Sequence, residues 1–304
     1  MNTPDVLIIG SGPAGLTAGL YAGRAGFSVS LLTGPEKGGK LSLTDKIENF
    51  PCFSTGSGIE FITKLEQQAK EVGVSFFNEN VQQVALLHPP FKIITEVQTW
   101  QPKSVIIAMG TQVKWLNLPQ EEMYKGKGIS VCATCDGFFY KNKNVAVIGG
   151  GNTALYESLY LTNIAKNVYL LTQNKQLQGE FLLRQKVLSL ANILIYYNTD
   201  VLGFVGNEKL TGLKIKNKAD TEEKILSVEG CFEAVGFVPN TRLFQNQLLV
   251  DKNGYIKTNK QTMQTSIKGI YACGDIQETG YSQALIASAS GARAAMSLEN
   301  YLKA

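Results

Sequence analysis

Asp5 to Tyr21 reads DVLIIGSGPAGLTAGLY, and 139 residues further on Asn144 to Tyr160 reads NVAVIGGGNTALYESLY. Gly10, Gly12 and Tyr21 recur as Gly149, Gly151 and Tyr160, so the chain holds two related units. Each stretch opens on a β-branched run suited to a buried parallel strand, passes a glycine-rich turn and enters a helix-forming segment. In the first unit Gly10-Ser11-Gly12-Pro13-Ala14-Gly15 completes a GxGxxG pattern. Gly10 permits the tight turn, Gly12 lets backbone approach a pyrophosphate, and Gly15 lets the helix pack on the strand. The phosphate then sits at a helix N-terminus. In the second unit the run is Gly149-Gly150-Gly151-Asn152-Thr153-Ala154, with Ala154 in the third glycine's place.

Outward from these turns the pattern repeats. Ser28 to Leu32 reads as a second strand, and Glu36 beyond it offers a carboxylate to a ribose diol. Ile59 to Val72 has helical periodicity; Val74 to Phe77, Val81 to Leu87 and Phe91 to Thr95 read as strands; Ser104 to Ala108 is a return strand ending at Gly110. The second unit matches this with a strand at Val168 to Thr172, a helix at Glu180 to Leu190 and a return strand at Cys231 to Val235. Ile270 to Ala272 then runs into Gly274-Asp275, ahead of a long helix from Gln283 to Leu302. The expected fold class is α/β, with two Rossmann-like three-layer nucleotide-binding domains, the second inserted into the first. Residues 1–113 and 241–304 form one domain in this reading and residues 114–240 the other.

The chain's 304 residues suit about two domains, and 44% hydrophobic against 18% charged residues suits a sizeable core. A net charge of +4 is too small and dispersed for a nucleic-acid footprint. Apolar runs such as Val105 to Ala108 fall far short of the roughly 20 residues of a membrane span. Met1 to Asp5 lacks the basic opening of a signal peptide, so a cytoplasmic protein is expected.

Five cysteines in a chain this long do not make a disulfide scaffold, but Cys132 and Cys135 are spaced Cys-x-x-Cys. Zinc is disfavoured because Cys52, Cys231 and Cys273 are isolated and His88 is the only histidine, in a loop before Pro89-Pro90. A dithiol cycling with its disulfide fits better, one sulfur resolving the mixed disulfide made by the other. Thiol exchange needs proton management, and Asp136 beside Cys135 is the candidate acid.

Taken together these segments resemble low-molecular-weight thioredoxin reductases nearly end to end: GSGPAG at Gly10, EKGGKL at Glu36, ENFP at Glu48, CATCDGFFY at Cys132, VAVIGGGNTA at Val145 and ACGD at Ala272. The resemblance implies FAD in the first domain, held by the Gly10 to Gly15 turn with Glu36, Asn49, Gly110, Gly274 and Asp275, with Gln283 and Ala284 near the flavin ring. It implies that Cys135 takes electrons from flavin, that Cys132 attacks the disulfide of thioredoxin or a thioredoxin-like protein, that Asp136 is the acid, and that the protein is a homodimer. It also implies a second nucleotide site at Gly149, Gly151, Asn152 and Thr153, bordered by Tyr156, Gln173 and Phe237.

Departures from the family pattern gather at that second site. NADPH-using members carry His-Arg-Arg after the second strand of the inserted domain and a further Arg; here the positions hold Thr172-Gln173-Asn174 and Gln178. Two lost charge-assisted bonds would weaken NADPH by roughly 3 to 6 kcal/mol. No acidic residue stands there for NADH either. Tyr156 replaces a common Glu, Phe237 a His, Ser282 an Arg and Lys40 a Gln. A retained phosphate loop with an added aromatic fits a second FAD or another dinucleotide stacked on Tyr156. The sequence therefore favours reduced ferredoxin or a second bound flavin over NADPH as donor; a flavin redox sensor is the rival outside enzymology.

Overall fold

A computed structural model describes residues 2–303 apart from 45, 46, 48, 54 and 278–281. The chain divides into two compact units, Met1–Gln112 with Val238–Ala304, and Val113–Phe237. The sequence reading set the junctions near Lys114 and Asn240.

In the first unit β1 (Val6–Ile9) leads into α1 (Pro13–Arg24), followed by β2 (Val29–Leu32), α2 (Gly58–Glu71) and β3 (Ser75–Phe77). An antiparallel meander of β4 (Val81–Ala85), β5 (Lys92–Thr95) and β6 (Thr99–Trp100) precedes β7 (Ser104–Ile107), and β8 (Thr111–Val113) carries the chain onward. The second unit runs α3 (Glu121–Tyr124), β9 (Ile129–Ser130), α4 (Ala133–Asp136), β10 (Asn144–Ile148), α5 (Asn152–Leu161), β11 (Asn167–Leu171), α6 (Phe181–Leu188) and β12 (Ile193–Tyr196). The antiparallel strands β13 (Thr199–Gly206), β14 (Leu210–Asn217) and β15 (Lys224–Ser227) come next, then β16 (Gly230–Glu233). After β17 (Phe237–Pro239), β18 (Ile270–Ala272) and α7 (Ala284–Lys303) complete the first unit.

The two main sheets are parallel and share one plan. Their strand orders are β18-β7-β1-β2-β3 and β12-β11-β10-β16-β9. Each first strand is buried on both faces, which is why it reads as an unbroken apolar run. Val6 and Ile8 pack into one core and Leu7 and Ile9 into another; Val145 and Val147 likewise part from Ala146 and Ile148. In each sheet the chain moves outward on one side of the first strand and returns on the other, so the strand order reverses at β1/β7 and at β10/β16. Parallel sheets bind ligands at such switch points, beyond the carboxyl ends of the strands.

The sequence pattern gave no reading for β12 to β15. Gly203 and Gly206 interrupt β13, and its register with β14 shifts twice, which erases a clean alternation. No helix among the described residues is long and apolar enough to cross a membrane.

One buried acid in the second unit makes stability pH-dependent. Glu233 is 1% exposed; its Oε2 accepts the Leu116 N–H at 2.9 Å, and Oε1 has no partner among the described residues. Burial raises its pKa from 4.5 to about 7 against the pull of that N–H. Across this window the unfolded chain sheds a proton that the fold retains, so stability falls as pH rises from 4.5 to about 7. At about 1.4 kcal/mol per pH unit the loss is about 3 kcal/mol. Glu233→Gln, which cannot titrate, should flatten urea-measured stability across this range by about that amount; an unchanged slope would reject the assignment.

Candidate functional site

The redox pair sits at the head of α4, a single turn entered from β9. Cys132 and Cys135 are joined as a disulfide, and the Cys132 sulfur also accepts the Cys135 N–H at 3.2 Å as the helix cap. Ser130 accepts the Cys132 N–H at 3.1 Å and donates to Asp136 Oδ2 at 2.5 Å. The Asp136 N–H returns to the Cys132 carbonyl at 3.1 Å. One hydroxyl thus ties the candidate acid to the backbone of the first cysteine.

Behind the turn, Glu157 of α5 accepts the N–H of Ala133, which lies between the two cysteines in sequence. Burial pushes this carboxyl to about 7 in spite of that bond. Sequence reasoning missed both Ser130 and Glu157, because neither lies in a motif and both act through folding contacts. Cys132 and Asp136 are half-buried, Cys135 is exposed, and Phe138 and Phe139 beside them are 76% and 68% exposed.

In the first unit the candidate residues gather at the strand ends. Pro13 opens α1, Ala14 and Gly15 follow, and Gly12 caps the helix without any side-chain bond, whereas Ser57 and Glu60 form a full capping box on α2. The first N–H groups of α1 are therefore left for an anion. A Cβ added at Gly12 would meet only the Gly38 carbonyl at 3.8 Å, so the cradle is open where a pyrophosphate would lie. Gly10, at φ +111°, turns against the end of β7: a Cβ there would stand 2.4 Å from the Ala108 carbonyl oxygen. Glu36 is exposed beyond β2, Gly110 follows β7, and Gly274 and Asp275 follow β18. Lys40, a departure from the family pattern, pairs with Asp275 at 2.9 Å and also bonds Thr111. Asn49 donates to Gln283 at 2.9 Å, with Ala284 next at the start of α7. Glu48 of the ENFP motif lies outside the described residues. This constellation fits FAD.

The second unit repeats the cradle. Gly151 caps α5 without a side-chain bond, and a Cβ there would meet nothing within 4 Å. Asn152 and Thr153 open the helix, Tyr156 is exposed one turn on, Gln173 is exposed beyond β11, and half-buried Phe237 follows Gly236.

Two nucleotide-binding folds, one carrying a redox dithiol on its surface, define a two-unit disulfide oxidoreductase. The family model for pyridine nucleotide-disulphide oxidoreductases matches residues 4–291. Thioredoxin reductase of Rickettsia felis is 39% identical over 305 residues, covering 99% of this chain and 98% of its own. The crystal structure of Lactococcus lactis thioredoxin reductase superposes with a TM-score of 0.94 at 33% identity, covering 99% of each chain. A more distant solved structure, a ferredoxin-flavin thioredoxin reductase from Clostridium acetobutylicum, has a TM-score of 0.53 at 29% identity, covering 100% of this chain and 98% of its own. The chain belongs to the low-molecular-weight thioredoxin reductases, within the pyridine nucleotide-disulphide oxidoreductase family.

Proposed function

We propose that this protein is an FAD-dependent reductase of thioredoxin or a thioredoxin-like protein, working through Cys132 and Cys135. The observation that carries the reading is the disulfide at the head of α4 with Asp136 fixed beside it by Ser130. FAD, when bound and reduced by the electron donor, would supply the electron pair that opens this disulfide. The resulting dithiol then acts by exchange: one thiolate attacks the substrate disulfide, the other resolves the mixed disulfide, and the substrate leaves as two thiols while Cys132–Cys135 is reformed. Asp136 holds or returns the proton that this exchange needs.

The cap position at the head of α4 supports Cys132 as the sulfur that attacks a protein disulfide and Cys135 as its resolving partner, the division of roles that family resemblance implies. Cys132, whose sulfur accepts the Cys135 N–H, suits the stabilised thiolate that attacks. Phe138 and Phe139 give that surface an apolar patch suited to a protein substrate.

The glycine loop of the second unit supports a dinucleotide as the source of electrons. A second reading, with reduced ferredoxin or a second bound flavin as donor, draws on Gln173, Asn174 and Gln178 standing at the family's arginine positions. It also draws on the name of the Clostridium relative. Flavin content and stopped-flow absorbance decide between them. We expect one FAD per chain, reduced by a nicotinamide nucleotide and reoxidised by thioredoxin. Two flavins per chain, or reduction by ferredoxin alone, would establish the second reading, and a colourless protein that stays colourless with added FAD would reject both.

A further inference from the structure

In a dinucleotide-binding fold the residues after the second strand face the adenosine ribose, an acid there selecting a 2′-hydroxyl and a cation a 2′-phosphate. After β11 the chain offers Thr172, Gln173 and Asn174, which carry no charge, and then the exposed Lys175. A second, hydrogen-bonded charge comes from the turn after β14. The Thr199 N–H bonds the Thr172 carbonyl at 3.0 Å, the Asn198 N–H bonds the Asn174 carbonyl at 3.1 Å, and the Lys218 N–H bonds the Asn198 carbonyl at 2.8 Å. These bonds lay the end of β14 beside the tip of β11. There Lys218 Nζ donates to the Gln173 carbonyl at 2.9 Å.

That bond uses one of the three ammonium donors and fixes where the charge stands. Lys218 forms no ion pair among the described residues. Of the three acids in the turn that follows it, Asp220 pairs with Lys224 at 2.9 Å and Glu223 with Lys214 at 3.4 Å, while Glu222 pairs with no lysine among the described residues. The same tip is joined to the phosphate loop: a Cβ at Gly150 would stand 2.5 Å from Thr172 Oγ1, and the Gln178 N–H bonds the Gly150 carbonyl at 2.7 Å. The rim also carries Glu180, whose carboxylate accepts from the Asn152 amide at 3.1 Å while its N–H donates back to Asn152 at 2.7 Å. Glycine loop, strand tip and ammonium therefore belong to one surface.

We propose that Lys218 reads the 2′-phosphate of the nucleotide and so makes the second unit selective for NADPH over NADH, in place of the arginines it lacks. The inference rests on reading the Gly149 to Ala154 loop as a dinucleotide site. One charge-assisted bond to phosphate is worth about tenfold to a hundredfold in affinity.

The test is calorimetric titration of the full-length holoprotein with 2′,5′-ADP and with 5′-AMP, which differ only in the 2′-phosphate. The parent should prefer 2′,5′-ADP at least about tenfold, with a preference that weakens in salt. Lys218→Gln should abolish the preference and leave 5′-AMP affinity unchanged, and Lys218→Arg should retain it. Equal binding of the two fragments by the parent, a preference that survives Lys218→Gln, or one lost instead in Lys175→Gln would overturn the proposal. Failure of both fragments to bind would remove the dinucleotide reading beneath it. Thioredoxin reduction by photoreduced enzyme needs no nucleotide and tests the disulfide chemistry separately.

Discussion

Serine at either Cys132 or Cys135 should bring thioredoxin reduction to background, a loss on the order of a thousandfold or more, because neither sulfur can complete the exchange alone. The two variants should nevertheless behave differently when offered oxidised thioredoxin after reduction. In Cys135→Ser the capped Cys132 remains, attacks, and has nothing to resolve it, so a covalent adduct accumulates. In Cys132→Ser the remaining Cys135 sulfur accepts no capping N–H among the described residues and should form little adduct. Non-reducing electrophoresis and intact mass read the adduct, and steady-state turnover reads the loss. An adduct found only with Cys132→Ser would reverse the roles that family resemblance implies. Appreciable turnover in either variant would place the chemistry elsewhere. The buried Cys273 is no candidate, since burial pushes its thiol to about 12 and leaves almost no thiolate at neutral pH.

Much of this was legible because the informative residues lie close together in sequence. The strand, glycine turn and helix at Val6 to Arg24 occupy consecutive positions, and so do Cys132, Cys135 and Asp136; a local motif survives being read without its surroundings. Ser130 and Glu157 were not legible. A serine two residues before a cysteine and a glutamate on a later helix become part of the redox turn only when β9 and α5 pack around α4. Lys218 is the extreme case: it lies 45 residues from Gln173, in the turn after a strand that the pattern did not predict, and backbone hydrogen bonds between that turn, Asn198 and the tip of β11 bring it there. The uncharged side chains of Gln173 and Asn174 are legible in that segment, but a segment does not show which side chains the fold brings to its edge from elsewhere. Glu233 was illegible for a related reason, because an acid at the end of a buried return strand declares its strain only through what surrounds it.

The two glycine turns are alike in sequence but should respond oppositely to one methyl group. A Cβ at Gly15 would stand 1.9 Å from the Gly10 carbonyl oxygen and 3.3 Å from the Ala108 Cβ. Because the first of these is backbone, no rotamer change relieves it, and the turn itself must move. Gly15→Ala should therefore cost about 3 kcal/mol or more and shift the start of α1 away from the ligand position. In the second unit the equivalent position is already Ala154, fully buried, so α5 stands far enough from its turn to hold a methyl group there. Ala154→Gly should cost only about 1 kcal/mol, chiefly helix propensity. Chemical unfolding and the flavin-to-protein ratio separate the cases: Gly15→Ala should melt early and purify poor in FAD, while Ala154→Gly keeps the parent's flavin content. A Gly15→Ala protein with full flavin and near-parental stability would show that the first turn tolerates displacement. The close approach of helix to strand would then not be what shapes the cradle for the pyrophosphate.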